Sequence, residues 1–148
     1  MEKQSDSVVS TALNAWAETG KRSVITITGQ SMRPLLRDGA AVVIEHGATG
    51  IGFGDVVLFR QQETLMVHRV VRVCTKGQQR QYMTKGDRCL RYDPQRLDED
   101  QIIGRLIGVV KGKKVTSWQT TSWKIGGVLL ASCSFLVGVA FALMRRVK

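Results

Sequence analysis

Few cysteines, two histidines, no long apolar run near the start, no internal repeat and no low-complexity segment mark this chain by what it lacks. Each shortage removes a class of protein. Cys74, Cys89 and Cys133 are an odd number without metal-ligand spacing, which argues against a disulfide scaffold and implies no metal site. Residues 1–20 contain Glu2, Asp6 and Glu18 and lack the apolar centre of a secretory signal or a first membrane span. The net charge of +10 comes without a helix-turn-helix or an aromatic-basic motif, so no nucleic-acid partner is expected. Nothing implies a cofactor.

At 148 residues the chain has room for one domain and an appendage. Residues 125–144 hold no charged side chain and are bounded by Lys124 and by Arg145, Arg146 and Lys148. At about 1.5 Å per residue such a helix matches the roughly 30 Å hydrocarbon core of a bilayer. The expectation is a transmembrane helix over 125–144, with Trp118 and Trp123 at the interface. Gly127, Ala131, Ser134, Gly138 and Ala142 form small-residue steps that suit a helix-helix partner. Lys111, Lys113, Lys114 and Lys124 before the span balance the cations after it. A domain without an export signal stays where it is made, so a single-pass membrane protein with a cytoplasmic domain is expected. Its basic surface suits anionic membrane lipid.

Upstream, Ser5 or Asp6 caps an amphipathic helix within residues 1–20, with Val9, Leu13 and Trp16 on one face and Gly20 as its stop. The period then changes. Runs rich in β-branched residues at 23–28, 40–45, 55–60, 65–74, 80–84 and 102–111 read as strands separated by glycine-containing turns. Short strands at this spacing predict a mainly β fold, a small bent antiparallel sheet or partial barrel. The expected organisation is a β domain over 21–115, a juxtamembrane linker over 116–124, the span, and a basic tail over 145–148.

Ser31 follows Gly29 at the end of the first strand and precedes Met32, Arg33 and Pro34. Such a corner can expose a hydroxyl and converge backbone N–H groups on one point, as an attacking serine and its oxyanion require. A serine in a Gly/Pro turn is also commonly structural, because its hydroxyl bonds the local backbone. His68, at the heart of the 65–74 run, supplies what Ser31 lacks, since serine is a poor nucleophile without a base. Imidazole, with an ordinary pKa of about 6.5, accepts a proton near neutrality. His46 ends a strand before a glycine-rich turn and reads as solvated.

The ordered blocks Gly29-Gln30-Ser31-Met32-Arg33-Pro34, Arg37-Asp38-Gly39, Gly54-Asp55-Val56-Val57, Val67-His68-Arg69-Val70, Thr84-Lys85-Gly86-Asp87 and Gln101-Ile102-Ile103-Gly104 resemble the signal peptidase I family. The resemblance spans roughly residues 23–110. It is nearest the endoplasmic-reticulum and archaeal branch, where histidine replaces the lysine base; self-cleaving LexA-type domains are more distant relatives. The resemblance implies the bent sheet of that family, a serine endopeptidase, Ser31 as nucleophile and His68 as general base. It also implies an acid after the lysine-glycine-aspartate block, for which the chain offers Asp87 and Asp93. Asp93 is the expected orienting acid, and Asp87 a further site residue.

Three departures bear on the substrate. The only expected span follows the site rather than preceding it. Position 29 is glycine where bacterial members place an oxyanion-stabilising hydroxyl. Arg33, Arg37, Arg88 and Arg91 crowd the site-forming segments and suit an acidic substrate or lipid headgroups. The expected function is membrane-anchored signal-peptidase-like proteolysis of a peptide or leader sequence. The alternatives are a non-catalytic, membrane-tethered peptide-binding module of the same fold and a self-cleaving regulatory domain.

Overall fold

The computed structural model describes residues 21–62, 64–77 and 79–118, and within the C-terminal stretch residues 126–127, 129–130, 132–133, 136–137, 139–140 and 143–144. Among the described residues, eight strands and one 3-10 turn (Glu99–Gln101) follow each other. They are β1 (Arg22–Thr26), β2 (Ala41–His46), β3 (Val56–Gln61), β4 (Thr64–Lys76), β5 (Gln79–Lys85), β6 (Leu97–Asp98), β7 (Ile102–Lys111) and β8 (Lys114–Ser117). All pair antiparallel in one sheet of order β1-β2-β7-β3-β4-β5-β6, with β8 added to β7.

β3 shows why these residues form strands. Its first four residues are apolar and all buried. Alternation sends them to opposite faces of the sheet. Val56 and Leu58 join Ile27, Met32, Leu36, Val42, Ile44, Ile103 and Leu106 in one cluster. Val57 and Phe59 join Ile51, Val70, Tyr82 and Leu97 in the other. A strand covered on both faces has no reason to alternate with polar residues. Burying each such side chain contributes roughly 1.5–3 kcal/mol. Register shifts at Val43/Ile44, Leu58/Phe59 and Val70/Arg72 bend the sheet, the last one close to His68.

Two helical appendages expected from the sequence need correction or lie outside view. The amphipathic helix of residues 1–20 lies outside the described residues. The transmembrane helix over 125–144 does not stand: the described residues of that stretch have helical backbone, but none of the helices among the described residues is long and apolar enough to cross a membrane. The single-pass membrane location drawn from it falls with it. Apolar length alone does not identify what surrounds a segment, and Leu129, Leu136, Val137, Leu143 and Met144 are exposed. Here Ser132 and Leu136 line a cavity of about 560 Å³ with Phe53, Val71 and Val73 of the β domain. A Cβ on Gly127 would stand 3.2 Å from both Arg69 Nη1 and the Gly54 carbonyl.

Candidate active site

Between β1 and β2 the chain makes a tight loop that carries Ser31. Gly29 starts it at φ +100°, a conformation that side-chain-bearing residues avoid, and its N–H donates to Asp38 Oδ1 at 2.8 Å. Met32 and Leu36 are buried in the first cluster and pin the loop from below. Turn hydrogen bonds from Arg33 N to Gln30 O (3.2 Å) and Leu36 N to Met32 O (2.9 Å) hold its shape. The segment after β5 closes on the same loop, with Arg88 N–H donating to the Ser31 carbonyl at 2.8 Å. Gly86 makes that approach possible, since a Cβ there would lie 2.8 Å from the Ser31 carbonyl and 3.0 Å from Ser31 Cβ. The Ser31 N–H has no acceptor among the described residues.

His68 stands in β4 opposite Val57 of β3, and its side chain is nearly enclosed. Phe59 meets its ring edge-on, with centroids 6.1 Å apart. The Ser31 Oγ–His68 Nε2 distance is 3.1 Å, and His68 Nδ1 lies 2.8 Å from Asp93 Oδ2. A carboxylate only accepts, so Nδ1 carries the hydrogen and Nε2 is left to accept from the serine hydroxyl. Thr84 Oγ1 donates to the same Asp93 oxygen at 2.6 Å, and the Asp93 N–H donates to the Thr84 carbonyl at 3.0 Å. Thr84 pairs with Val70, two residues beyond His68, which puts its side chain on the imidazole's face of the sheet.

Asp87 goes elsewhere. Its carboxylate is 1% exposed and takes both oxygens to Arg69, from Nε and Nη2, at 2.8 Å each. Arg69 Nη1 also donates to the Gly54 carbonyl at 2.7 Å. The bidentate pair ties β4 to the loop before β3 and to the turn that supports Ser31. Of the two acids singled out from the sequence, then, Asp93 meets His68 and Asp87 clamps the neighbouring arginine.

Lys85 is buried, and burial pushes its amine below the ordinary lysine value, an effect opposed by Cys89, Asp87 and Asp93. It pairs with Arg69, one residue out of step with His68, so alternation directs it away from the imidazole's face. His46 is a second correction. It is 1% exposed rather than solvated, and its Nε2 lies 2.6 Å from Ser23 Oγ. Burial holds its imidazole below the ordinary value, opposed by a hydrogen bond to the Ile103 backbone.

Thr84, Arg69 and Gly86 received no separate role in the sequence reading although all three lie inside the quoted blocks. The signal for Thr84 was its place two residues before Gly86 in a run rich in β formers. The signal for Arg69 was a charged residue between the apolar Val67 and Val70 of a central strand. The Peptidase S24-like family model matches residues 3–107 of the chain. No curated protein matches the chain.

Proposed function

The chain belongs to the Peptidase S24-like family, and on that premise we propose that it is a serine endopeptidase with Ser31 as nucleophile, His68 as general base and Asp93 as the group that orients it. The observation that carries this reading is the unbroken chain of contacts Ser31 Oγ–His68 Nε2 (3.1 Å) and His68 Nδ1–Asp93 Oδ2 (2.8 Å). Ser31 attacks the scissile carbonyl while its proton passes to Nε2. Asp93 stabilises the imidazolium so formed and, held by Thr84, keeps the ring in place. The unengaged Ser31 N–H is the donor for the oxyanion, in the absence of a hydroxyl at Gly29. Collapse of the tetrahedral adduct expels the amine with the proton from Nε2, leaving an acyl ester on Ser31. Water, activated by the same nitrogen, then releases the acid and restores the serine.

Histidine at the base position supports the finer reading, proteolysis of the endoplasmic-reticulum and archaeal signal-peptidase kind. Lys85 is the weaker base, because its pairing with Arg69 sets it off the imidazole's face of the sheet and no hydrogen bond joins it to Ser31 among the described residues. The test is cleavage of a proteome-derived peptide library by the full chain, read by mass spectrometry. Wild type is expected to generate new termini that Ser31→Ala and His68→Ala, both still folded by circular dichroism, do not. Equal cleavage by the Ser31→Ala protein would sink the proposal. A Ser31-dependent shortening of the chain itself, without cleavage of added peptides, would favour self-processing.

A further inference from the structure

Beside the nucleophile lies a cavity of about 420 Å³ lined by Arg33, Pro34, Arg37 and Arg88. Three arginines line one concavity, and no carboxylate lines it among the described residues. Asp38, the acid of the same loop, accepts from the Gly29 N–H. The cavity is physically joined to the catalytic loop. Arg33 is two residues past Ser31, and Arg88 reaches the loop twice, through its N–H on the Ser31 carbonyl (2.8 Å) and Nη1 on Gln30 Oε1 (2.7 Å). Concentrating three like charges without neutralising them costs free energy that a bound anion recovers.

We infer that this cavity is a subsite for acidic side chains of the substrate, so that the preferred peptide carries Asp or Glu within a few residues of the bond presented to Ser31. The inference rests on the peptidase reading and adds a substrate class to it. Guanidinium forks match carboxylates in two-point geometry, and a cavity of this size next to Ser31 suits a side chain rather than an extended lipid surface. Exposed ion pairs of this kind are worth up to roughly fivefold each, and several together give about tenfold or more.

The experiment uses fluorescein-labelled peptides with one Ala-rich core and Glu-Glu, Gln-Gln or Lys-Lys placed in turn on either side. Their binding to the full-length Ser31→Ala chain is followed by anisotropy, and their cleavage by wild type in parallel. The Glu peptides are expected to bind at least about tenfold more tightly than the Lys peptides at low salt. That advantage should shrink as salt screens the exposed charges. Arg33→Glu combined with Arg37→Glu should reverse the order, a gain of Lys binding that misfolding cannot mimic. Level affinities for the three sets, or a Glu preference surviving the reversal, would overturn the inference. So would phosphatidylglycerol vesicles binding through these arginines while the peptides stay level. Cleavage by wild type without acidic preference refutes the subsite alone. Discrimination without any cleavage, by a chain that also does not shorten itself, upholds the acid-binding cavity and refutes the peptidase reading instead.

Discussion

At the scale of single residues, the site turns on which atom each polar group can satisfy. Asp93 Oδ2 receives both His68 Nδ1 and Thr84 Oγ1, so the carboxylate is fixed before substrate arrives. Asp93→Asn should lower kcat by on the order of 10²–10⁴-fold with little change in KM, because an amide in that place no longer favours the required tautomer. Thr84→Val should cost less, about tenfold, as one hydrogen bond to a charged group is lost. Steady-state kinetics on a cleaved peptide checks both. His46 gives a pH effect of another kind. Burial lowers the proton affinity of its imidazole in the folded chain, whereas the unfolded chain takes a proton as pH falls through about 6.5. The unfolded state then binds more protons, so this contribution is intact above pH 6.5 and declines on acidification. Melting temperatures from pH 7.5 to 5 should fall less steeply for His46→Gln than for wild type. The burial of His46 was legible in principle, since Val42, Ile44 and His46 share one face of β2, but the glycine after it suggested solvent. The division of labour between Asp87 and Asp93 was not legible by spacing, because both follow β5 in loops whose course only the fold fixes.

At the scale of elements, the turn after β5 is the piece that packs Ser31 against the strand that carries His68. Asp87 anchors it through Arg69, Gly86 lets it touch Ser31, and Arg88 bonds the serine carbonyl. Removing one partner of a buried ion pair leaves the other charge desolvated. Asp87→Ala should therefore destabilise the chain by about 3–5 kcal/mol in denaturant unfolding, far more than loss of an exposed pair. Gly86→Ala should cost roughly 1–3 kcal/mol and most of the activity, because its Cβ would meet the Ser31 carbonyl and Cys89 Sγ, both at 2.8 Å. The six longer strands were readable from β-branched runs. β6, only Leu97–Asp98, and β8, four largely exposed residues, are too short to stand out as runs and pair because β5 and β7 offer them an edge. Register was hidden too, although it alone sets Thr84 on His68's face and Lys85 off it.

At the scale of the whole molecule, one bent sheet with two apolar clusters brings a loop near the start of the described chain to a strand and a loop much later in it. Membership of the Peptidase S24-like family follows from the chain over residues 3–107. The mainly β class was readable because β formers dominate the middle of the sequence. The membrane span was read from apolar length alone, whereas no helix among the described residues is long and apolar enough to cross a membrane. The arginine excess around Ser31 was readable in the sequence, but the fold decides that Arg33, Arg37 and Arg88 line one cavity. The most direct measurement is capture of the acyl ester: a library-derived peptide is mixed with the full chain, quenched in acid within milliseconds to seconds, and the adduct located by mass spectrometry. The expected result is acyl mass on the fragment containing Ser31, absent from Ser31→Ala, which also forms no product. Product release at the wild-type rate by Ser31→Ala would contradict the central claim.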